Sequence, residues 1–185
     1  MILPPSVLVA WLLFAAPPPE VPVAIPTPEA AVAAAAAGKT DFTGTWKLDL
    51  AASDSLDEML AAQGASWVER KAAGSIVVTQ KVAHRPEGIE VCVESSFKHA
   101  CNLVKIGAGW EEKSGDKGKA KSRTDWSPDG KAVITTSEIS LQDGKSAQLV
   151  VTRTLEDEGK TTVQLIELKI KDGKSCKARR VLRTQ

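Results

Sequence analysis

From Ile76 to its end the chain alternates apolar and polar residues in short runs, and each run is closed by a glycine turn. The turns read "RPEG" (85–88), "SPDG" (127–130), "QDGK" (142–145), "EDEGK" (156–160) and "KDGK" (171–174). Asp-Gly and its relatives supply the positive φ of tight hairpins. The last four turns recur about every fourteen residues, separated by "KAVITTSEIS", "SAQLVVTRTL", "KTTVQLIELKI" and "CKARRVLR". That rhythm predicts an up-and-down antiparallel sheet of ten strands, beginning near 42, 76, 89, 99, 109, 117, 131, 146, 160 and 174. A sheet of that length curls or closes, and closure removes its exposed edges. The predicted class is therefore all-β, a ten-stranded antiparallel β-barrel.

One segment has a helical period instead. Ser55 and Glu58 form a capping-box pattern before "LDEMLAAQ", with Gly64 as its stop. Ser66 and Glu69 repeat the pattern before "WVERKAA", which Gly74 ends. Both helices are shorter than the ~12–15 residues that hold in water alone, so they must dock on another surface. Leu56, Met59 and Leu60 share one face at helical spacing. The pattern predicts a helix-turn-helix lid between strands 1 and 2, seated over the mouth of the barrel.

The first forty residues are a different polymer. "SVLVAWLLFAA" (6–16) has the length of a secretory apolar core, although no Lys or Arg precedes it. Residues 17–40 are rich in Pro and Ala and read as an extended linker. The expected organisation is a signal-like segment at 1–16, a linker at 17–40 and one domain at 41–185. A chain exported through this segment works in the cell envelope or outside the cell; an uncleaved one stays cytoplasmic. The formal charge of +1, with no basic stripe among aromatics, argues against nucleic acid.

Three blocks, "FTGTWKL" (42–48), "DSLDEMLAAQGASWVERKAAG" (54–74) and "SSFKHACNLVKIGAGWEE" (95–112), resemble the fatty-acid-binding proteins, the intracellular lipid-binding branch of the calycins. The resemblance covers residues 41–185 and implies a β-clam around a lipid cavity, with the helices at its portal. It also implies a last-strand arginine, followed two residues later by a tyrosine, holding the ligand carboxylate. Arg180 matches the arginine, whereas Leu182 stands at the tyrosine and the chain has no Tyr. A second family arginine aligns with Val151, and Arg153 lies two residues on, on the same strand face. Phe97 corresponds to the family's portal phenylalanine, and Asn102, Val104 and Ile106 to its inward face on strand 4.

Alternation gives its own account of these positions. On the last strand Lys177, Arg179 and Arg183 share the solvent face, and Cys176, Ala178, Arg180 and Leu182 the inner one. Leu149, Val151 and Arg153 share the inner face of strand 8, and Ile89, Val91 and Val93 that of strand 3, with Glu90 and Glu94 outward. Two guanidinium groups thus point into one apolar enclosure, and each needs an anion or water. A fatty carboxylate is one partner; an internal acid such as Glu167 is another. The candidate ligand-binding residues are Arg180, Arg153, Leu182, Val151, Phe97, Met59, Leu56, Val91, Val93, Asn102 and Val104. Arg70, Lys71 and Lys98 would border the portal, placed for transient contact with an anionic membrane surface.

Cys92 and Cys101 stand symmetrically about the turn at Ser96 and Phe97, so they face each other on the outside, either as a disulfide or as two thiols. Cys176 reads as an inward apolar filler. His84 and His99 lie in or beside turns and read as surface residues, with no metal-ligand spacing. Catalytic residues, metal and cofactor are none by this reading: no phosphate loop, Ser-His-Asp grouping or Cys-x-x-Cys is present. The predicted function is non-covalent carriage of fatty acids or similar amphiphiles by a monomer, not an enzyme. The alternative is a calycin-fold interaction or inhibitor module with a side-chain-filled barrel.

Overall fold

The computed structural model describes residues 38–96, 99–115, 118–141, 143–171 and 173–185. The readings of 1–16 and of most of 17–40, and those of Phe97 and Lys98, fall outside these residues. Ten strands form one antiparallel sheet: β1 Gly44–Asp49, β2 Thr79–Arg85, β3 Gly88–Glu94, β4 His99–Lys105, β5 Glu111–Gly115, β6 Gly118–Trp126, β7 Ala132–Ser140, β8 Ser146–Glu156, β9 Thr161–Ile170 and β10 Ser175–Thr184. Their order is β4-β3-β2-β1-β10-β9-β8-β7-β6-β5, so the last strand closes on the first. Every predicted strand start lies within three residues of an observed one, because Asp-Gly turns fix hairpin ends locally.

Closure through hydrogen bonds is incomplete, which corrects the expectation of a sheet without edges. No ladder joins β4 to β5 among the described residues. Gly107 and Gly109, both at positive φ, turn the chain away between them, and the Gly107 amide donates instead to the Thr124 carbonyl on β6, 2.8 Å away.

Two helices follow β1: α1 (Asp57–Ala62) and α2 (Trp67–Ser75). The Ser66–Glu69 capping box is formed, with Ser66 N–H donating to Glu69 Oε2 at 2.6 Å and Glu69 N–H to Ser66 Oγ at 3.4 Å. The Ser55–Glu58 box is not: Leu56 is the N-cap of α1, and Ser55 Oγ accepts only the Asp57 amide. Gly64, at φ +87°, ends α1, whereas Gly74 lies inside α2 and does not stop it. Leu56, Met59 and Leu60 bury against Leu141, Leu149, Ile166, Leu168 and Ala178, so the helix pair docks on the inner wall of β8 to β10. Arg70 ties α2 to α1 through Asp57, 3.0 Å away, and the Ala65 carbonyl, so it is not a free cation at the mouth; Lys71 is exposed.

A second apolar cluster fills the far end: Phe42, Trp46, Leu48, Val82, Ile89, Val91, Val93, Val133 and Leu182. His84 belongs with it, contrary to the surface reading. It is 7% exposed, takes the inward place beside Ile89, and its Nε2 accepts the Phe42 amide at 3.1 Å. Its ring forms a three-ring cluster with those of Phe42 and Trp126. Burial pushes the imidazole below its ordinary value, with Asp41 opposing. The turn-based reading failed because β2 runs through His84 to Arg85. His99 is exposed as expected. Cys92 and Cys101 are register partners on the outer face and are joined by a disulfide.

Candidate ligand-binding site

The inward positions of the sheet fall into rows that run across the strands. One row contains Trp126, Val133, Arg153, Gln164 and Arg180, with Gln164 the register partner of both arginines. This row separates the apolar cluster under the helices from the one at the far end. Arg153 is 8% exposed and Arg180 5%. Arg153 Nη2 donates to Gln80 Oε1 on β2, 2.7 Å away, and Gln164 Nε2 reaches the same oxygen at 3.4 Å. β2 and β8 are far apart in the sheet, so this bond crosses the interior.

The electrostatics of the row are unbalanced. Burial pulls Arg153 well below the ordinary guanidinium value, to about 10, which still leaves it a cation at neutral pH. Its Nη1 is buried without a hydrogen-bond partner among the described residues, as are Gln164 Oε1 and Thr162 Oγ1 close by. Arg180 is also lowered by burial, but Asp54 opposes the shift and the Asp54 carbonyl accepts from its Nη1 at 3.1 Å. No Asp or Glu occupies an inward register position on β8, β9 or β10. Glu167, considered as an internal partner, faces outward and pairs with Lys177 at 2.7 Å and Lys169 at 3.9 Å, as its odd position on β9 requires.

The structure brings several sequence candidates to this interior. Val151 is the register neighbour of Ile166, one inward step toward the mouth from Arg153, and Leu182 lies one step to the other side. Asn102, Val91 and Val93 are buried on the opposite wall, and Val104 is half-buried beside Ile89. Leu56 and Met59 cover the mouth side. A cleft of about 530 Å³ lies along the mouth-end rim, lined by the inward Ala120, Ile139, Ala147 and Ile170 and by the outward Lys121, Glu138 and Lys169. Sequence reasoning missed Gln80, Gln164 and Thr162. The signal was available, since each is a polar residue at an inward position of its strand.

The chain is a curled ten-stranded antiparallel sheet with a helix pair inserted after its first strand and two buried arginines inside. The fold is that of the fatty-acid-binding proteins, and the resemblance to the intracellular lipid-binding family holds in sequence as well as in backbone. No family model matches the chain. Cellular retinoic acid-binding protein 1 of Homo sapiens and that of Bos taurus are each 28% identical over 120 residues, 64% of this chain and 84% of theirs. Among solved structures, apo lipid binding protein 8 of Caenorhabditis elegans is similar with a TM-score of 0.61 and 19% identity, over 78% of this chain and 95% of that one. The Schistosoma mansoni fatty acid binding protein in complex with arachidonic acid is similar with a TM-score of 0.58 and 20% identity, over 78% and 96%. These relatives are binding proteins by name.

Proposed function

We propose that this protein carries a fatty acid or similar amphiphilic carboxylate non-covalently inside the barrel, as a monomer without catalysis, the head group oriented by Arg153 and Arg180. The observation that carries this reading is Arg153: a buried cation whose Nη1 has no partner among the described residues, on a wall without an inward acid. An uncompensated buried charge is strongly unfavourable, and a carboxylate offers guanidinium the two-point geometry it prefers. The names of the relatives support the choice, since retinoic and arachidonic acids both join a carboxylate to a long apolar body. Val151, Ile166 and Ala178 on the wall, and Met59 and Leu56 from the helices, supply apolar surface for the tail. Each buried CH₂ contributes about 0.8 kcal/mol before association costs, so the tail holds while the head group selects.

The test is a titration of delipidated full-length protein with a fluorescent fatty acid, together with mass spectrometry of lipid extracted from the native protein. A bound carboxylated amphiphile at one per chain is expected. A protein that takes up no acid refutes carriage and favours the interaction-module reading. Arg180→Gln is expected to weaken acids more than the matching alcohols; equal loss for both moves the head group elsewhere. The working compartment is a separate part of the proposal: the Cys92–Cys101 disulfide supports an oxidising one. The mass of the mature N-terminus distinguishes an exported form lacking residues 1–16 from a full-length cytoplasmic one.

A further inference from the structure

The inner wall on β6 and β7 is not apolar. Four hydroxyl residues form a two-by-two block there: Thr124 opposite Thr135, and Ser122 opposite Ser137. The block continues the polar row of the arginines toward the mouth. Thr135 is the register partner of Val151 and Ser137 that of Leu149, whereas Arg153 is paired with Val133. At about 3.4 Å per residue, the threonine pair lies roughly 7 Å along the strands from the guanidinium row and the serine pair roughly 14 Å. Mouthward of the serines comes the row of Ala120, Ile139 and Ala147, which lines the rim cleft.

We infer that the ligand carries a polar oxygen function, a hydroxyl or keto group, partway along its apolar body, and that the hydroxyl block on β6 and β7 receives it. This rests on the proposed carriage of a carboxylate at Arg153 and Arg180. Thr124 Oγ1 and Thr135 Oγ1 lie 3.0 Å apart and hydrogen-bond to each other. Such a pair consumes one O–H and leaves the second, with its lone pairs, for another partner. A purely hydrocarbon tail laid over this wall would bury those groups and Ser122 and Ser137 unpaired, at the penalty that desolvated hydroxyls carry. A tail with one oxygen at the right depth removes that penalty and converts it into discrimination, because a site built to bond a hydroxyl rejects the analogue that lacks it.

Two further buried polar atoms lie in the guanidinium row and one inward step beyond it toward the far end. Thr162 is fully buried and Gln164 2% exposed, both at inward positions, and Thr162 Oγ1 and Gln164 Oε1 have no hydrogen-bond partner among the described residues. The interior therefore offers polar contacts beyond those a single carboxylate on the guanidinium groups would use. The opposite wall sets Val82, Ile89, Val91 and Val93 beside the inward Gln80, His84 and Asn102.

The experiment is isothermal titration of delipidated full-length protein with stearic acid, 12-hydroxystearic acid and 1-octadecanol, repeated on Thr124→Val/Thr135→Val and Ser122→Ala/Ser137→Ala. These substitutions keep volume or reduce it slightly, and far-UV circular dichroism checks the fold of each. The hydroxy acid is expected to bind at least fivefold more tightly than stearic acid, with one of the two double variants abolishing the preference while retaining stearate. Stearate bound as tightly as the hydroxy acid overturns the inference and leaves carriage intact. A preference that survives in both variants also overturns it, by placing the oxygen contact on another wall. Binding of neither acid overturns the carriage reading and this inference together.

Discussion

Replacing Arg153 by Met should make the ligand-free protein more stable and the carrier worse. The structure sets the magnitude. Burial holds Arg153 at about 10, between two and three pH units below the ordinary guanidinium value, and each unit of such a displacement corresponds to about 1.36 kcal/mol. The folded state therefore bears about 3 kcal/mol of unfavourable free energy for keeping this guanidinium charged. Against it stands one charge-assisted bond to Gln80, whose Oε1 retains Gln164 Nε2 at 3.4 Å when the guanidinium is gone. Met keeps most of the apolar stem and fills irregular space. The net expectation is a gain of about 1–3 kcal/mol, within the range seen when buried ionic groups give way to apolar ones. In a domain of this size each kcal/mol moves the melting temperature by roughly 2–4 °C. The assay is chemical and thermal unfolding of both proteins after delipidation, since bound acid would stabilise the wild type by mass action. A parallel titration should show at least a tenfold loss for a long-chain acid and little change for its alcohol. Arg153→Met less stable than wild type by more than 1 kcal/mol would refute the reasoning, because it would mean that the interior already compensates the charge.

Three further outcomes follow from the fold. His84 is neutral in the folded state and its pKa lies below 6.5, so the unfolded chain binds more protons and stability must fall as pH drops through about 6.5. Urea unfolding at pH 7.5 and 5.5 should show that loss, and His84→Gln, which can still accept the Phe42 amide, should flatten it; an equal slope in the variant would exclude His84 as its origin. Opening the Cys92–Cys101 bond, nine residues apart in sequence, should lower stability by roughly 2–3 kcal/mol, measured with and without reductant against a Cys92→Ser/Cys101→Ser control. Gly88 begins β3 where a Cβ would run into the Val104 carbonyl on β4, so Gly88→Ala should destabilise by roughly 1–3 kcal/mol, and a neutral result would mean that β3 and β4 separate easily.

The strands were legible because their ends are written in local chemistry: an Asp-Gly turn needs no knowledge of the rest of the chain. The inward parity of Arg153 and Arg180 was equally legible, as a two-residue period survives any curvature of the sheet. What could not be read was every feature that depends on a distant segment. His84 looked like a turn residue until Phe42 and Trp126 closed over it. Ser55 looked like a cap until the chain leaving β1 was drawn against β10, where the Asp54 amide donates to the Arg179 carbonyl and its carboxylate accepts the Arg179 amide. Gln80 looked unremarkable because its partner is 73 residues away across the interior.

Leu182 is the clearest departure from the family resemblance on the last strand. The family resemblance sets a tyrosine there, beside the head-group arginine, yet Leu182 is 1% exposed and packs into the cluster of Phe42, Trp46 and Leu48. Leucine at that place needs no polar partner, and its register partner Thr162 keeps a buried Oγ1 without one among the described residues. The polar contact is supplied from the other side instead: Gln80 crosses to Arg153, and Gln164 stands between the two guanidinium groups. An amide differs from a phenol in one respect that matters for a carrier. It offers both donor and acceptor atoms without ionising, so Gln80 can hold Arg153 through its oxygen when no ligand is bound and leave its NH₂ free to donate to a carboxylate when one is. In the proposed carrier the head-group site therefore lies one inward step toward the far end relative to an arginine at Val151, with a longer apolar and hydroxyl-bearing wall between it and the mouth.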